Sequence, residues 1–181
     1  MNKSLVDIVA KCKTFLFQVP ELADKLGQKD VNFIPELTKW LQESEEFLKT
    51  YNYAQCSEIA GLRSQLMTPM LSSEKNSSKR KEQLYVASTI IYPAQGVLQT
   101  ILEPIEFKVE QAREIITQLL QLAKQAGMIR YEAHIDFNTY IMGIFESFKN
   151  HEQLRASMAK VLTMVNRSDV LRIMAEEIDF S

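Results

Sequence analysis

Apolar residues recur along most of the chain at intervals of three and four, the period of helices that bury one face. Leu5, Ile8, Val9, Cys12, Phe15, Leu16 and Val19 open the pattern, and Pro20 is expected to stop it. A short turn over 21–26, ending at Gly27, leads into a second helix. That helix is predicted to start near Pro35, since proline suits a first helical turn. Its stripe is Leu37, Trp40, Leu41, Phe47, Leu48 and Tyr51. Cys56, Ile59, Ala60, Leu66, Met67 and Met70 predict a third helix over about 54–71, which Pro69 bends or ends.

The rhythm breaks at "SSEKNSSKRKEQ", and serines and charges there predict a mobile polar loop over 72–83. The opposite follows at once. "LYVASTIIYPAQGVLQTIL", Leu84 to Leu102, carries no charge. It is long enough for a membrane span, but Ser88, Thr89, Gln95, Gln99 and Thr100 would bring polar groups into hydrocarbon. Leu84, Ala87, Ile91, Leu98 and Leu102 form one stripe, with Val86, Ile90, Val97 and Ile101 as a second beside it. A helix apolar over so much of its circumference is expected to be covered on several sides. Pro93 removes one backbone hydrogen bond and predicts a kink.

Pro104 is expected to begin the next helix, with Ile105, Val109, Ala112, Ile116, Leu119, Leu120 and Ala123 inward and Gly127 as a left-handed cap. Residues 128–136 form a connector that could be extended. Ile129, Tyr131, Ala133 and Ile135 alternate there with Arg130, Glu132, His134 and Asp136, although Ile129, Ala133 and Phe137 also fit a helical series. Asp136 or Asn138 can cap a helix with Phe137, Tyr140, Ile141, Ile144, Phe145 and Phe148 inward. A helix over about 152–165 and a short one capped by Ser168 complete the chain. The expected fold is all-α, a single helical domain over 1–181. Its six- to eight-helix bundle is built around a kinked, largely buried central helix at 84–102.

Composition agrees and narrows the function. A chain of 181 residues can bury a real core, and five glycines with five prolines suit long helices. The net charge of −2 is spread evenly, so neither nucleic acid nor a membrane surface is an expected partner. A helix-turn-helix at the end of the chain would place Asp169, Glu176, Glu177 and Asp179 against DNA phosphates. Cys12 and Cys56 read as free thiols of a reducing compartment. Asp7, Lys11 and Lys13 interrupt any export signal, so a cytoplasmic location is expected.

No catalytic set, metal set or cofactor motif stands out. Glu43, Glu45 and Glu46 resemble the carboxylates with which helical nucleotide hydrolases hold magnesium, but Glu43 and Glu46 point away from their helix's apolar stripe. Two histidines and two isolated cysteines supply no usual zinc site. Arg130, Glu132 and His134 are the only nameable enzyme candidates, for a nuclease or nucleotide hydrolase, and they fit a water-facing edge better. Arg63 lies inside an apolar stripe and calls for a carboxylate, carbonyls or a bound anion. Tyr92, Gln95 and Gln99 could line a space opened by Pro93.

The leading expectation is a non-enzymatic interaction or assembly protein, acting through a protein partner or by self-association. Phe17, Phe107 and Met142, stranded on polar faces, support it. A small-molecule binding or sensor bundle, with a pocket near Pro93, is the alternative, and an enzyme comes third.

Overall fold

Of the helix boundaries that the pattern sets at proline, those at Pro20 and Pro104 do not form. The computed structural model describes residues 3–71, 76–129 and 135–178. Its helices are α1 (Leu5–Gln28), α2 (Phe33–Thr50), α3 (Cys56–Met67), α4 (Asn76–Gln125), α5 (Phe137–Asn150), α6 (Arg155–Met164) and α7 (Arg167–Glu177). A 3-10 turn, Thr68–Leu71, follows α3, so Pro69 does close that helix. No strand occurs among the described residues, and the fold is all-α.

α1 continues through Pro20, and α4 continues through both Pro93 and Pro104. All three rings lie on exposed faces, where water can take the carbonyl that each leaves unpaired. Burial on the opposite side holds the helices together. Phe15, Val19 and Leu22 carry the α1 stripe past Pro20. In α4 the buried stripe runs Ala87, Ile91, Ala94, Leu98, Ile101, Ile105, Val109, Ala112, Ile116, Leu119 and Ala123. Its steps alternate four and three except at Ile101–Ile105–Val109, where two fours adjoin. That extra step keeps the average at the α-helical period as the chain passes Pro104. The two helices expected on either side of Pro104 are therefore one.

Two further expectations change. Residues 76–83, read as loop, are the first turns of α4, while 72–75 lie outside the described residues. The 84–102 segment is not covered on several sides. Ala87, Ile90, Ile91, Ala94, Leu98, Ile101 and Leu102 are buried, but Tyr85, Ser88, Thr89, Tyr92, Gln99 and Thr100 are exposed. It is an amphipathic helix whose outer face happens to lack charge.

Three helices end alike. After α1, α2 and α4, residues Lys29 (φ 54°), Asn52 (φ 58°) and Gly127 (φ 68°) are left-handed. The next amides donate back across the last turn, Asp30 N to Lys25 O (3.0 Å), Tyr53 N to Leu48 O (2.9 Å) and Met128 N to Ala123 O (2.9 Å). Gly127 was expected there. Lys29 was not, because a lysine gives no sequence sign of a left-handed position.

The chain packs as two compact units. One comprises residues 10–103. Phe15, Phe33, Leu37, Leu41, Leu48, Ile59, Leu66, Ile91 and Leu98 fill its core, and α2 packs on α3. Buried Trp40 donates its indole N–H to Phe15 O (3.1 Å), and Phe15 meets Phe47 at 5.7 Å between centroids. The other comprises residues 1–9 with 104–181. There α5 packs on α6 and α7 around Val109, Ile116, Phe145, Phe148, Val161, Val170 and Ile173. Asp136 caps α5 by accepting from Thr139 N (3.0 Å). Asn166 rather than Ser168 caps α7, accepting from Asp169 N (3.0 Å).

Candidate interaction site

Arg63 finds a carboxylate. Its Nε donates to Glu45 Oε2 (2.9 Å) and its Nη2 lies 2.9 Å from the same oxygen. The pair bridges α3 to α2 with the guanidinium about one-third exposed, so the charge inside the apolar stripe is a structural ion pair. Glu43 lies 3.8 Å from Lys39, and Glu46 accepts from Gln42 Nε2 (3.0 Å). Among the described residues no group of three or more metal-ligating side chains comes together. No helix there is long and apolar enough to cross a membrane. Burial pushes the Cys12 thiol up to about 11, which keeps it protonated and unreactive at neutral pH. Arg130, Glu132 and His134 lie outside the described residues.

Tyr92, Gln95 and Gln99 do not enclose a space. Tyr92 is 61% exposed, Gln99 is exposed and Gln95 is half-buried. Tyr92 and Gln99 belong instead to the outer face of α4, seven residues apart, and Tyr85 stands seven residues earlier, 72% exposed. Seven residues are almost two helical turns, so the three form a row. Ser88, Thr89, Pro93 and Thr100 flank the row. Half-buried Gly96 belongs to the same face, and nothing lies within 4 Å of where a Cβ would stand. Lys81, Glu82 and Glu103 bracket the face, but no charge falls within it. Ser88, Thr89 and Thr100 turn their hydroxyls back to the carbonyls of Tyr85, Val86 and Val97 at 2.6 to 2.8 Å. Hydroxyls so occupied make the face less polar than its composition suggests.

A groove adjoins the start of this helix. Val31, Ile34 and Pro35 of the α1–α2 corner face Met67 and Met70, with the amide of Gln83 between them, around about 540 Å³. Val31, Met67 and Met70 are all exposed. Three side chains from the first turns of α4 fix its walls. Arg80 Nη2 donates to Asp30 O (2.9 Å) and Lys29 O (3.4 Å), and Nη1 to Val31 O (3.4 Å). Lys79 Nζ donates to Met70 O (3.2 Å). Buried Gln83 donates to Leu66 O (3.3 Å). A cation at the carbonyl end of α1 also complements the helix dipole. A second hollow of about 590 Å³, lined by Leu26, Lys29, Lys81, Leu84 and Tyr85, shares Arg80 with the first.

Sequence reasoning missed this groove because Lys79, Arg80 and Gln83 fell in the segment read as loop. The run Lys79-Arg80-Lys81 was the available signal, and its helical phase was the missing piece. Comparison with models of known protein families, with curated proteins and with solved structures finds no match.

Proposed function

We propose that this protein is a non-enzymatic helical assembly protein, and that the uncharged outer face of α4 is the surface through which two copies associate. The single observation behind this reading is that face, exposed and without charge from Leu84 to Leu102. An ordinary solvated helix face carries charges, which favour water over a neighbour. Tyr85 and Tyr92 supply the large amphipathic contacts typical of interface centres. Gly96 costs a helix interior roughly 1 kcal/mol relative to alanine. Nothing in its own unit fills the space beside it, so a helix from outside could approach closely there.

Charge also favours a second copy over a charged partner. Two-fold association brings a patch against its own copy, so a charge at the axis meets its own kind and one elsewhere needs an opposite charge within the same patch. A neutral row of tyrosine, threonine and glutamine avoids that conflict. The small-molecule pocket expected beside Pro93 lacks comparable support, because Tyr92 and Gln99 face outward.

Sedimentation velocity from about 1 to about 100 μM tests the reading. Wild type is expected to pass from monomer to dimer with little dependence on salt. The double variant Tyr85→Lys/Tyr92→Lys is expected to stay monomeric with unchanged helix content, since both side chains are exposed. A wild type that is monomeric throughout, or a variant that dimerises equally well, would refute self-association through this face.

A further inference from the structure

The groove between the α1–α2 corner and the 3-10 turn has a different character from the α4 face, and it carries a separate inference. Its seat is apolar: Val31, Ile34, Met67 and Met70. Methionines at an exposed site adapt to varied apolar side chains, as at promiscuous peptide-binding surfaces. Its edge is basic. Across the groove and the adjoining hollow, the charged lining residues are Lys29, Lys79, Arg80 and Lys81, with no acidic residue among them. In the same corner the Asp30 carboxylate accepts from Asn32 N at 2.7 Å.

Those four cations divide into two pairs. Lys79 and Arg80 are spent on backbone carbonyls and hold the walls. Lys29 and Lys81 are exposed, and neither side chain has an ion-pair partner among the described residues. The arrangement is an open apolar trough with Lys79 and Arg80 in its wall, and Lys29 of the α1 end and Lys81 of α4 line the hollow that shares Arg80 with it. From this geometry we infer that the groove docks an amphipathic helix of a protein partner, apolar on the side that enters and acidic along its flank. An amphipathic helix laid into a trough is read by side chains at i, i+3, i+4 and i+7, and the flanking charge sets its orientation. The partner is distinct from the second copy proposed for the α4 face, whose attraction involves no charge.

Selection of the intact protein against displayed helical peptides about four turns long reads this preference directly. Leucine is fixed at the four docking positions, and the flanking positions are randomised. Enriched peptides are expected to be net acidic. Met67→Gln/Met70→Gln, which removes the apolar seat without adding charge, is expected to weaken them by at least about tenfold. Lys29→Glu/Lys81→Glu leaves the wall-holding bonds alone and is expected to weaken them by about tenfold, less at high salt. Peptides that need the methionines but show no acidic bias, or that ignore the lysine pair, would overturn the acidic specificity while leaving a docking groove. Absence of any methionine-dependent binder would overturn the groove itself. Neither result bears on dimerisation through Tyr85 and Tyr92, which sedimentation reads separately.

Discussion

Each compact unit is fastened by an arginine from α4, and the two arginines work in opposite ways. In residues 10–103, Arg80 donates to the carbonyls of Lys29, Asp30 and Val31. In the other unit, Arg113 pairs with Glu176 (2.9 Å) and with Glu177 at the end of α7. Carbonyl acceptors have no charge to lose, so the first fastening is indifferent to pH and needs no matching residue elsewhere. Carboxylate acceptors give a stronger bond per contact but one that titrates. The second unit also relies on polar ties to hold a segment distant in sequence. Asp169, buried in the first turn of α7, accepts from Ser4 Oγ (2.5 Å) and Leu5 N (2.9 Å), and Asn166 Nδ2 donates to Lys3 O (2.9 Å). Arg172 reaches Asp7 at 2.6 Å. A carboxylate from one helix thus caps the N-terminus of another, where the dipole of α1 favours negative charge.

The largest effect expected from this contrast follows removal of that cap. Asp169→Ala deprives Leu5 N and Ser4 Oγ of their acceptor and should cost about 1.5–3 kcal/mol, the range for hydrogen bonds to a charged group. Urea denaturation measures the loss. Hydrogen exchange should locate it at the first amides of α1 and in α7, with the α2 and α3 amides unaffected. A change below about 0.5 kcal/mol would mean that packing, not polar ties, secures α1 in the second unit.

Arg80→Ala tests the other fastening and should cost about 1–2 kcal/mol, since three carbonyls lose a donor at a site open to water. Its signature is local: faster exchange and proteolysis around Lys29 to Val31, with the exchange of α7 unchanged. An undisturbed corner would mean that the left-handed turn at Lys29, with its bond from Asp30 N to Lys25 O, stands without the arginine. The groove would then owe its shape to packing alone.

What could be read from the sequence divides along the same line. Stripes were largely legible, because burial on one face imposes a period that single residues reveal: Leu37, Trp40, Leu41, Phe47 and Leu48 are all buried as expected, although Met67, Met70 and Phe137, expected inward, are exposed. Phe17, Phe107 and Met142 are exposed as expected, for the same reason. Helix ends were less legible. Pro20 signalled a stop and Pro104 a new start that did not occur, since the cost of a proline on a wet face is offset by burial continuing beneath it. Charge was misleading at 84–102, where its absence suggested burial, yet the outer face is merely uncharged. Arg63 was recognised as needing a partner, but Glu45 as that partner was not, and Arg80 and Asp169 gave no sign. Their acceptors and donors lie from 18 to 165 residues away, and no local period records such pairings.

The smallest expected effect separates the two arginines by pH. Burial alone would raise the Glu176 pKa, but hydrogen bonds from Arg113 and Arg172 outweigh it and hold the carboxyl below its usual range. Glu110 and Glu177 also approach Arg113, and Asp7 shares Arg172, so the cluster has more than one acid. A carboxyl whose folded pKa is depressed stabilises the fold fully above its unfolded value. That contribution disappears as pH falls through the folded value. Glu176 is substantially exposed, so solvent screening limits its share to less than about 1 kcal/mol. The measurement is a difference of differences: wild type against Glu176→Gln, unfolded by urea at about pH 7 and about pH 3. Wild type should be the more stable at the higher pH and the gap should close at the lower, while Arg80→Ala against wild type should show the same gap at both. A Glu176→Gln gap that does not change with pH would place this carboxylate, like many exposed partners, outside the energetics of the fold.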